Sequence, residues 1–550
     1  MSTIKWNKRR LEKLSRIQNV SELVDKKVIP TSNIVEVLEM IIKSNDCVAL
    51  EGNNQKQATF LSKALDKVNP EKIKDLHMII SSISLPEHLN IFEKGIAKKI
   101  DFAYAGPQSS RISQLINDKK IEIGAINTYL ELYSKLFVDS SPDVCLVAAD
   151  KADKHGNLYT GPNTEETPTI VEATAFRDGI VVVQVNELVE ELPRVDIPCD
   201  WVDFVVVADE HYYLEPLFTK DPAYISEVQI LMAMMTIKGI YAKHNLKSLN
   251  HGVGFNTAAI ELLLPTYGEE LGLKGKICTN WVLNPHPTLI PAIESGWVES
   301  VYAFGGEVGM ENYVKERSDI FFTGSDGTLR SNRTYAQMAG LYGVDAFVGA
   351  TLQMDELGNS STVTKGRLTG FGGAPNMGHD PGGRRHHSEA WLDLKTSEEY
   401  LDPGKKIVIQ MLETYKSGNK PIIVKSLDAN KVGKEANLPV APVMIFGDEV
   451  THLVTEEGIA YLYKVKTIEE RKKAIAAVAG ATETGKSVNK EEINRLRKEG
   501  IVAYPEDLGI RRTDAKRSLL AAKSIEELVA YSDNLYEPPA KFRKKSQAKA

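Results

Sequence analysis

Val144-Cys-Leu-Val-Ala-Ala149, Ile180-Val-Val-Val-Gln-Val185 and Val202-Asp-Phe-Val-Val-Val-Ala208 are short, nearly unbroken apolar runs. Runs of this length, rich in β-branched residues and without polar alternation, indicate strands buried on both faces. Toward the N-terminus, Cys47–Leu50, Met78–Ile80, Phe102–Ala105 and Ile121–Ile126 have the same character, with amphipathic stretches between several of them. One such stretch carries Ile34, Val37, Leu38 and Ile41, opened by Asn33 and Glu36 in the pattern of a helix cap. Strand, helix, strand in this rhythm predicts an α/β fold with mostly parallel sheets covered by helices.

The rhythm breaks over Asp209–Ser226, a segment rich in Pro and Tyr without a clear period. A helical run, Glu227–His244, follows. A second strand series then begins: Val298–Phe304, Ile320–Phe322, Ala346–Met354, Lys406–Val408, Ile422–Val424 and Val443–Ile445. The predicted organisation is a charged lead-in (1–30), an N-terminal domain (31–225), and a second domain with a helical tail (226–535). A basic tail (536–550) is expected to be disordered.

Among 550 residues, 67 Lys and Arg face 74 Asp and Glu, a net charge of −7 that argues against a nucleic-acid binder. No apolar run approaches the roughly 18 residues of a membrane span; the longest cluster, near Leu231–Ile237, is too short. The basic N-terminus (Lys5, Lys8, Arg9, Arg10) leads into polar sequence, so no signal peptide is expected. Cys47, Cys145, Cys199 and Cys278 are far apart and form no C-x-x-C, which fits reduced thiols of a cytoplasmic protein.

The richest segment is Gly366-Arg-Leu-Thr-Gly370-Phe-Gly372-Gly373-Ala-Pro-Asn376-Met-Gly378-His379-Asp380-Pro-Gly-Gly-Arg384-Arg385-His386-His387. Such glycine density lets backbone approach a ligand, and paired arginines suit carboxylates or phosphates. His379, His386 and His387 lack a metal-ligand spacing, so no metal site is expected. His251-Gly252-Val-Gly254-Phe-Asn256-Thr257 reads as a strand-to-helix turn whose N–H groups suit an anion. Gly156-Asn-Leu-Tyr-Thr-Gly161 is a loop at a sheet's carboxyl edge. Gly480-Ala-Thr-Glu-Thr-Gly485-Lys486-Ser487 matches the phosphate-binding loop pattern, but an Ala- and Lys-rich helical run precedes it where a strand is required, so an exposed interhelical turn is expected.

Together these segments resemble the coenzyme A transferase superfamily over about residues 30–475. Val253-Gly254-Phe-Asn256-Thr257-Ala-Ala-Ile260 is similar to its G-I-G-x-x-P-N-A turn, Gly370-Phe-Gly372-Gly373 to its G-x-G-G loop, and Val454-Thr455-Glu456-Glu457-Gly458-Ile459-Ala460 to its T-E-x-G-V-A segment. The long loop most resembles that of the malonate decarboxylase alpha subunits, with citrate lyase alpha subunits next. The resemblance implies two tandem coenzyme A transferase-like domains with the active site at their interface, where the loops at Gly252–Asn256, Gly370–Gly378 and Gly156–Gly161 would meet.

It also implies an exchange of acetyl for malonyl on a carrier-protein thiol: acetyl-S-carrier plus malonate gives malonyl-S-carrier plus acetate. No cofactor would be bound by this chain. A phosphopantetheine-type, dephospho-coenzyme A-derived arm on a separate acyl carrier protein, or coenzyme A, would bring the thiol. Carboxyltransferase-like decarboxylase subunits would complete a multisubunit or homo-oligomeric assembly. The alternatives are a citrate lyase-like or free coenzyme A transferase, and a non-catalytic or nucleotide-binding subunit. Superfamily members carry a nucleophilic Glu upstream of the G-x-G-G loop; here Leu352-Gln353 stand there, and an amide cannot ionise. Direct attack by the malonate carboxylate is therefore expected. Gly372 and Gly373 N–H groups would form the oxyanion hole, and Gln353 would hold the attacking carboxylate. Arg384 or Arg385 would clamp the spectator carboxylate. Asn376, Gly252, Gly254 and Asn256 complete the expected binding residues.

Overall fold

The apolar runs of the first half become one sheet in the computed structural model, which describes residues 2–382, 406–416, 419–438 and 440–543. Its order is Glu122–Ile126, Ala97–Tyr104, Leu76–Ser82, Cys47–Leu50, Val144–Asp153, Ile180–Val189 and Phe204–Val207. All of these neighbours pair in parallel. The first six residues of both Val144–Asp153 and Ile180–Val189 are buried, as strands covered on both faces must be. The chain steps outward from Cys47–Leu50, then returns to its other side with Val144–Asp153. The order thus reverses between those two strands, and the loops beyond their carboxyl ends diverge to leave a crevice.

The second sheet repeats this plan. Its order is Ser300–Tyr302, Asn280–Val282, Ser248–His251, Ala346–Gly349, Ile407–Met411, His452–Val454, Ile459–Tyr461 and Val502–Ala503. The first six are parallel and the last two antiparallel. Its order reverses between Ser248–His251 and Ala346–Gly349. The expected strand Ala346–Met354 is broken: Ala346–Gly349 lies in this sheet, while Gln353–Asp355 pairs with Ser360–Ser361 and Ile423–Val424 in a separate small one. Ile320–Phe322 and Val443–Ile445 contribute only the isolated bridges Val301 to Phe321 and Ser360 to Ile445.

The two lobes interlock. Thr369–Gly372 crosses to the end of Ala97–Tyr104: Ala105 N–H donates to Thr369 O at 2.7 Å, and Phe371 N–H to Ala103 O at 2.7 Å. Val363, Leu368, Leu427 and Ala429 belong to the first lobe's apolar core despite their position in the sequence.

The lead-in takes a defined form, and one capping and one terminal expectation are corrected. The charged lead-in contains a helix, Ser2–Asn19, held by charge: Arg16 donates to Asp46 at 2.5 Å and to Ile41 O at 3.0 Å. Helix Ile34–Ile41 forms as spaced, but the Asn33 side chain does not cap it; its Nδ2 donates to Leu23 O. The tail from 536 is not loose throughout, because Tyr536 is buried and Glu537 N–H donates to Gly309 O at 2.8 Å; residues 544–550 lie outside the described part. Among the described residues no helix is long and apolar enough to cross a membrane. Gly480–Ser487 connects helices Ile468–Ala477 and Lys490–Lys498, and the Gly485, Lys486 and Ser487 N–H groups are bonded within the turn itself, which leaves no cradle for a phosphate.

Candidate active site

The carboxyl ends of both sheets face a cavity of about 360 Å³ between the lobes. Asn54 and Gln55 reach it from the loop after Cys47–Leu50, and Tyr104 ends its own strand there. From the second sheet come Gly252 and Val253, Leu283 and Asn284, and Gly349, Ala350 and Leu352. The cavity therefore lies over both strand-order reversals, where divergent loops leave room for a ligand.

The crossing loop Thr369–Ala374 forms a wall. Gly370 (φ +77°) and Gly372 (φ +61°) both occupy the left-handed region. A β-carbon at 370 would stand 2.4 Å from Ala103 O, so only glycine allows the crossing. Gly372 N–H donates to Ala103 O at 2.9 Å and Gly372 O accepts from Tyr129 N–H at 3.2 Å. The Gly372 N–H is thus engaged in the crossing, and Gly373 is the glycine of the pair whose N–H is outside those bonds. A β-carbon at 373 would meet Gln337 Nε2 at 2.5 Å.

Opposite the loop, helix Arg333–Tyr342 presents Arg333 and Gln337 to the cavity. Arg333 Nε and Nη2 donate to Glu165 Oε2 at 3.0 and 2.6 Å, and its guanidinium lies over the Tyr129 ring. Burial opposes the Arg333 charge, but the neighbouring Glu165 carboxylate outweighs it and holds the group protonated. Burial pushes the Tyr104 hydroxyl up to about 12 and raises that of Tyr129, so both remain neutral donors. Much of the remaining wall is apolar, including Phe218, Val253, Phe304, Phe347 and Met444. Among the described lining residues there is no Asp, Glu, Cys or Lys.

The family model described as "Malonate decarboxylase, alpha subunit, transporter" matches residues 5–545. This chain belongs to that family. It is 55% identical to an acetyl-S-ACP:malonate ACP transferase of Malonomonas rubra, over 98% of each chain. Its fold matches a Pseudomonas malonate decarboxylase hetero-tetramer in complex with malonate at TM-score 0.96 and 62% identity, covering 98% of this chain and 99% of that one. A malonate decarboxylase alpha subunit from Acinetobacter baumannii matches at TM-score 0.95 and 62% identity, covering 97% and 100%. The citrate lyase alpha subunit of Streptococcus mutans shares the fold alone, at 18% identity and TM-score 0.58 over 83% and 86%.

The structure separates the expected residues. Gly252, Gly372 and Gly373 line the cavity of this family member. Gly252 N–H, however, donates to Val348 O at 2.8 Å as part of the sheet, so it is not free for an anion. Gln353 is not at the wall: it turns away, and its Oε1 accepts from Asp428 N–H at 2.9 Å at the start of helix Asp428–Glu435. Strand alternation explains this, since Leu352 takes the cavity side. Gly254 and Asn256 are not among the lining residues; Asn256 Nδ2 donates to Met411 O at 3.0 Å. Asn376 is buried behind the loop and donates to Gln337 Oε1 at 3.0 Å, which makes it a support. Gly156–Gly161 does not join the cavity; the following Pro162 and Asn163 line a separate one of about 190 Å³. His379 pairs with Glu449 at 2.9 Å. Arg384, Arg385, His386 and His387 lie outside the described residues. Arg333, Gln337, Tyr104 and Tyr129 were not expected, because an isolated Arg or Tyr at an element's end carries no local signal.

Proposed function

We propose that this chain exchanges acetyl for malonyl on the thiol of a carrier protein by direct attack of the malonate carboxylate, without a covalent enzyme intermediate. The transferase activity is that of the Malonomonas rubra relative. One observation supports the direct route: the described cavity wall holds no carboxylate or thiol, and of Leu352 and Gln353, which stand where relatives keep a Glu, Leu352 is the one that lines it. A malonate oxygen then adds to the acetyl thioester carbonyl, and the carbon–sulfur bond breaks. The products are an acetyl-malonyl anhydride and a thiolate. The thiolate attacks the malonyl carbonyl, and acetate leaves with the bridging oxygen. Each oxyanion is met by neutral donors, with Tyr104, Tyr129 and the Gly373 N–H as candidates; one such donor contributes about 3–4 kcal/mol to a transition state.

The thiol comes on a phosphopantetheine-type arm of a partner carrier, and the cavity fits such a group: its apolar wall suits an aliphatic stem and an acyl methyl. The hetero-tetrameric Pseudomonas assembly supports a multisubunit complex here, with carrier and decarboxylase subunits as partners. The test is trapping. Borohydride reduces a glutamyl thioester and inactivates enzymes that form one. Acetyl-S-carrier plus borohydride should leave this protein active, with no altered carboxylate by mass spectrometry and with ternary-complex rather than ping-pong kinetics. Donor-dependent inactivation with a mass change on any Asp or Glu would overturn the direct route.

A further inference from the structure

We infer that Arg333 is the anchor for the spectator carboxylate of malonate, and so the residue that selects a dicarboxylate over a monocarboxylate; this rests on the transferase reading above. The guanidinium is fixed before any ligand arrives. Its Nε and Nη2 edge is pinned to Glu165, which is fully buried, and the backbones are clasped as well: Glu165 N–H donates to Ser331 O at 2.9 Å and Arg333 N–H to Glu165 O at 3.0 Å. Arg333 Nη1 has no hydrogen-bond partner among the described residues, while the residue lines the cavity and is only 7% exposed. Its second edge is therefore available to a ligand at little cost in ordering.

Position agrees with this role. The Arg333 Cζ stands 4.9 Å from the centre of the Tyr129 ring, and the same ring is 3.6 Å from where a β-carbon of Gly372 would be. One aromatic ring thus separates the cation from the glycine loop. During the exchange one malonate carboxylate loses its charge in the anhydride, while the other stays anionic in a largely apolar cavity and needs a fixed cation. Among the described lining residues the cations are Arg333 and Arg367, and Arg367 is solvent-exposed with its Nε on Ser109 Oγ. Acetate has no second carboxylate and gains nothing from Arg333.

The experiment compares the unsubstituted complex with an Arg333→Gln, Glu165→Gln double variant; the second change avoids leaving a buried carboxylate unpaired. Acetyl-S-carrier is the donor, and malonate and labelled acetate are the acceptors. The KM for malonate should rise roughly 10-fold or more, as expected for loss of a charge-assisted pair, with acetate exchange changed less than about 3-fold. A merely structural salt bridge would leave the ratio of the two KM values unchanged, so equal effects, or none, overturn the proposal alone. An unsubstituted complex that transfers no acyl group overturns the transferase reading and the proposal with it. Should the variant not fold, the monomethyl ester of malonate tests the same point in the unsubstituted protein. It lacks the spectator charge and should show a KM roughly 10-fold or more above that of malonate; an equal KM overturns the assignment.

Discussion

Glu261 is fully buried with both carboxylate oxygens taken: His251 and His286 donate from Nδ1 to Oε1 at 2.9 Å each, and Thr288 donates to Oε2 at 2.5 Å. Burial alone would raise its pKa, yet the two imidazoles outweigh that and lower it to about 2 from 4.5. Burial also lowers the pKa of His251, so its neutral ring can donate to Glu261 and accept from Tyr241 OH at 2.7 Å. This fixes the residue that precedes Gly252 on the cavity wall. A carboxyl with a lowered folded-state pKa stabilises the fold above its unfolded value, and that stability disappears as pH falls from about 4.5 to 2. Glu261→Gln should therefore lose up to about 3 kcal/mol at pH 7 and show a flatter decline below pH 4.5. Denaturant titrations at pH 7, 4 and 2.5 measure both; an unchanged acid limb would remove Glu261 as its source. The same scale explains why the site was only partly legible. Glycine density pointed to Gly252 and the Gly370–Gly373 loop, because backbone demands leave a local mark. The face taken by Gln353 depended on where a strand breaks, and Arg333 is identified only by Glu165 and Tyr129, which are remote in sequence.

Among elements, the crossing segment Thr369–Gly372 bears directly on the cavity. It adds to the carboxyl end of Ala97–Tyr104 by an antiparallel bridge between Tyr104 and Gly370, and a parallel bridge joins Gly372 to Thr128 ahead of helix Tyr129–Val138. Gly370→Ala would require a left-handed alanine whose β-carbon strikes Ala103 O. A loss of about 1–3 kcal/mol in stability is expected from the strain, together with a fall in turnover as the wall shifts. Melting temperature and kcat measure the two, and normal values for both would mean that the crossing can form without glycine. The long apolar strands of the first sheet were legible because burial on both faces writes itself as a continuous run. In the second lobe Ser248–His251, Asn280–Val282 and His452–Val454 are only four, three and three residues long and carry Asn or His. Their pairing comes from neighbours in the sheet, so no local pattern announces them.

At the scale of the whole molecule, the division into lobes is topological more than energetic. Val363, Leu368 and Leu427 are each at most 3% exposed and lie in the core of the first lobe, although the chain that supplies them belongs to the second half. Fully burying such side chains contributes about 1.5–3 kcal/mol each, so the three supply roughly 5–9 kcal/mol. That is comparable with the whole stability of an ordinary domain, about 5–15 kcal/mol. Arg333 and Glu165 tie the lobes at a second place, and a buried pair broken on one side costs about 3–5 kcal/mol. A fragment ending at residue 226 keeps every strand of the first sheet but loses all of these contacts, and exposes the ends of Ala97–Tyr104 where Thr369–Gly372 had paired. It should not fold stably, whereas the full chain should unfold in one transition with the lobes coupled. Calorimetry of the full chain and circular dichroism of the fragment test this. Two separated transitions, or a fragment that melts cooperatively near the full-length temperature, would show that each lobe stands alone and that the cavity is assembled by docking rather than by the folding of either lobe.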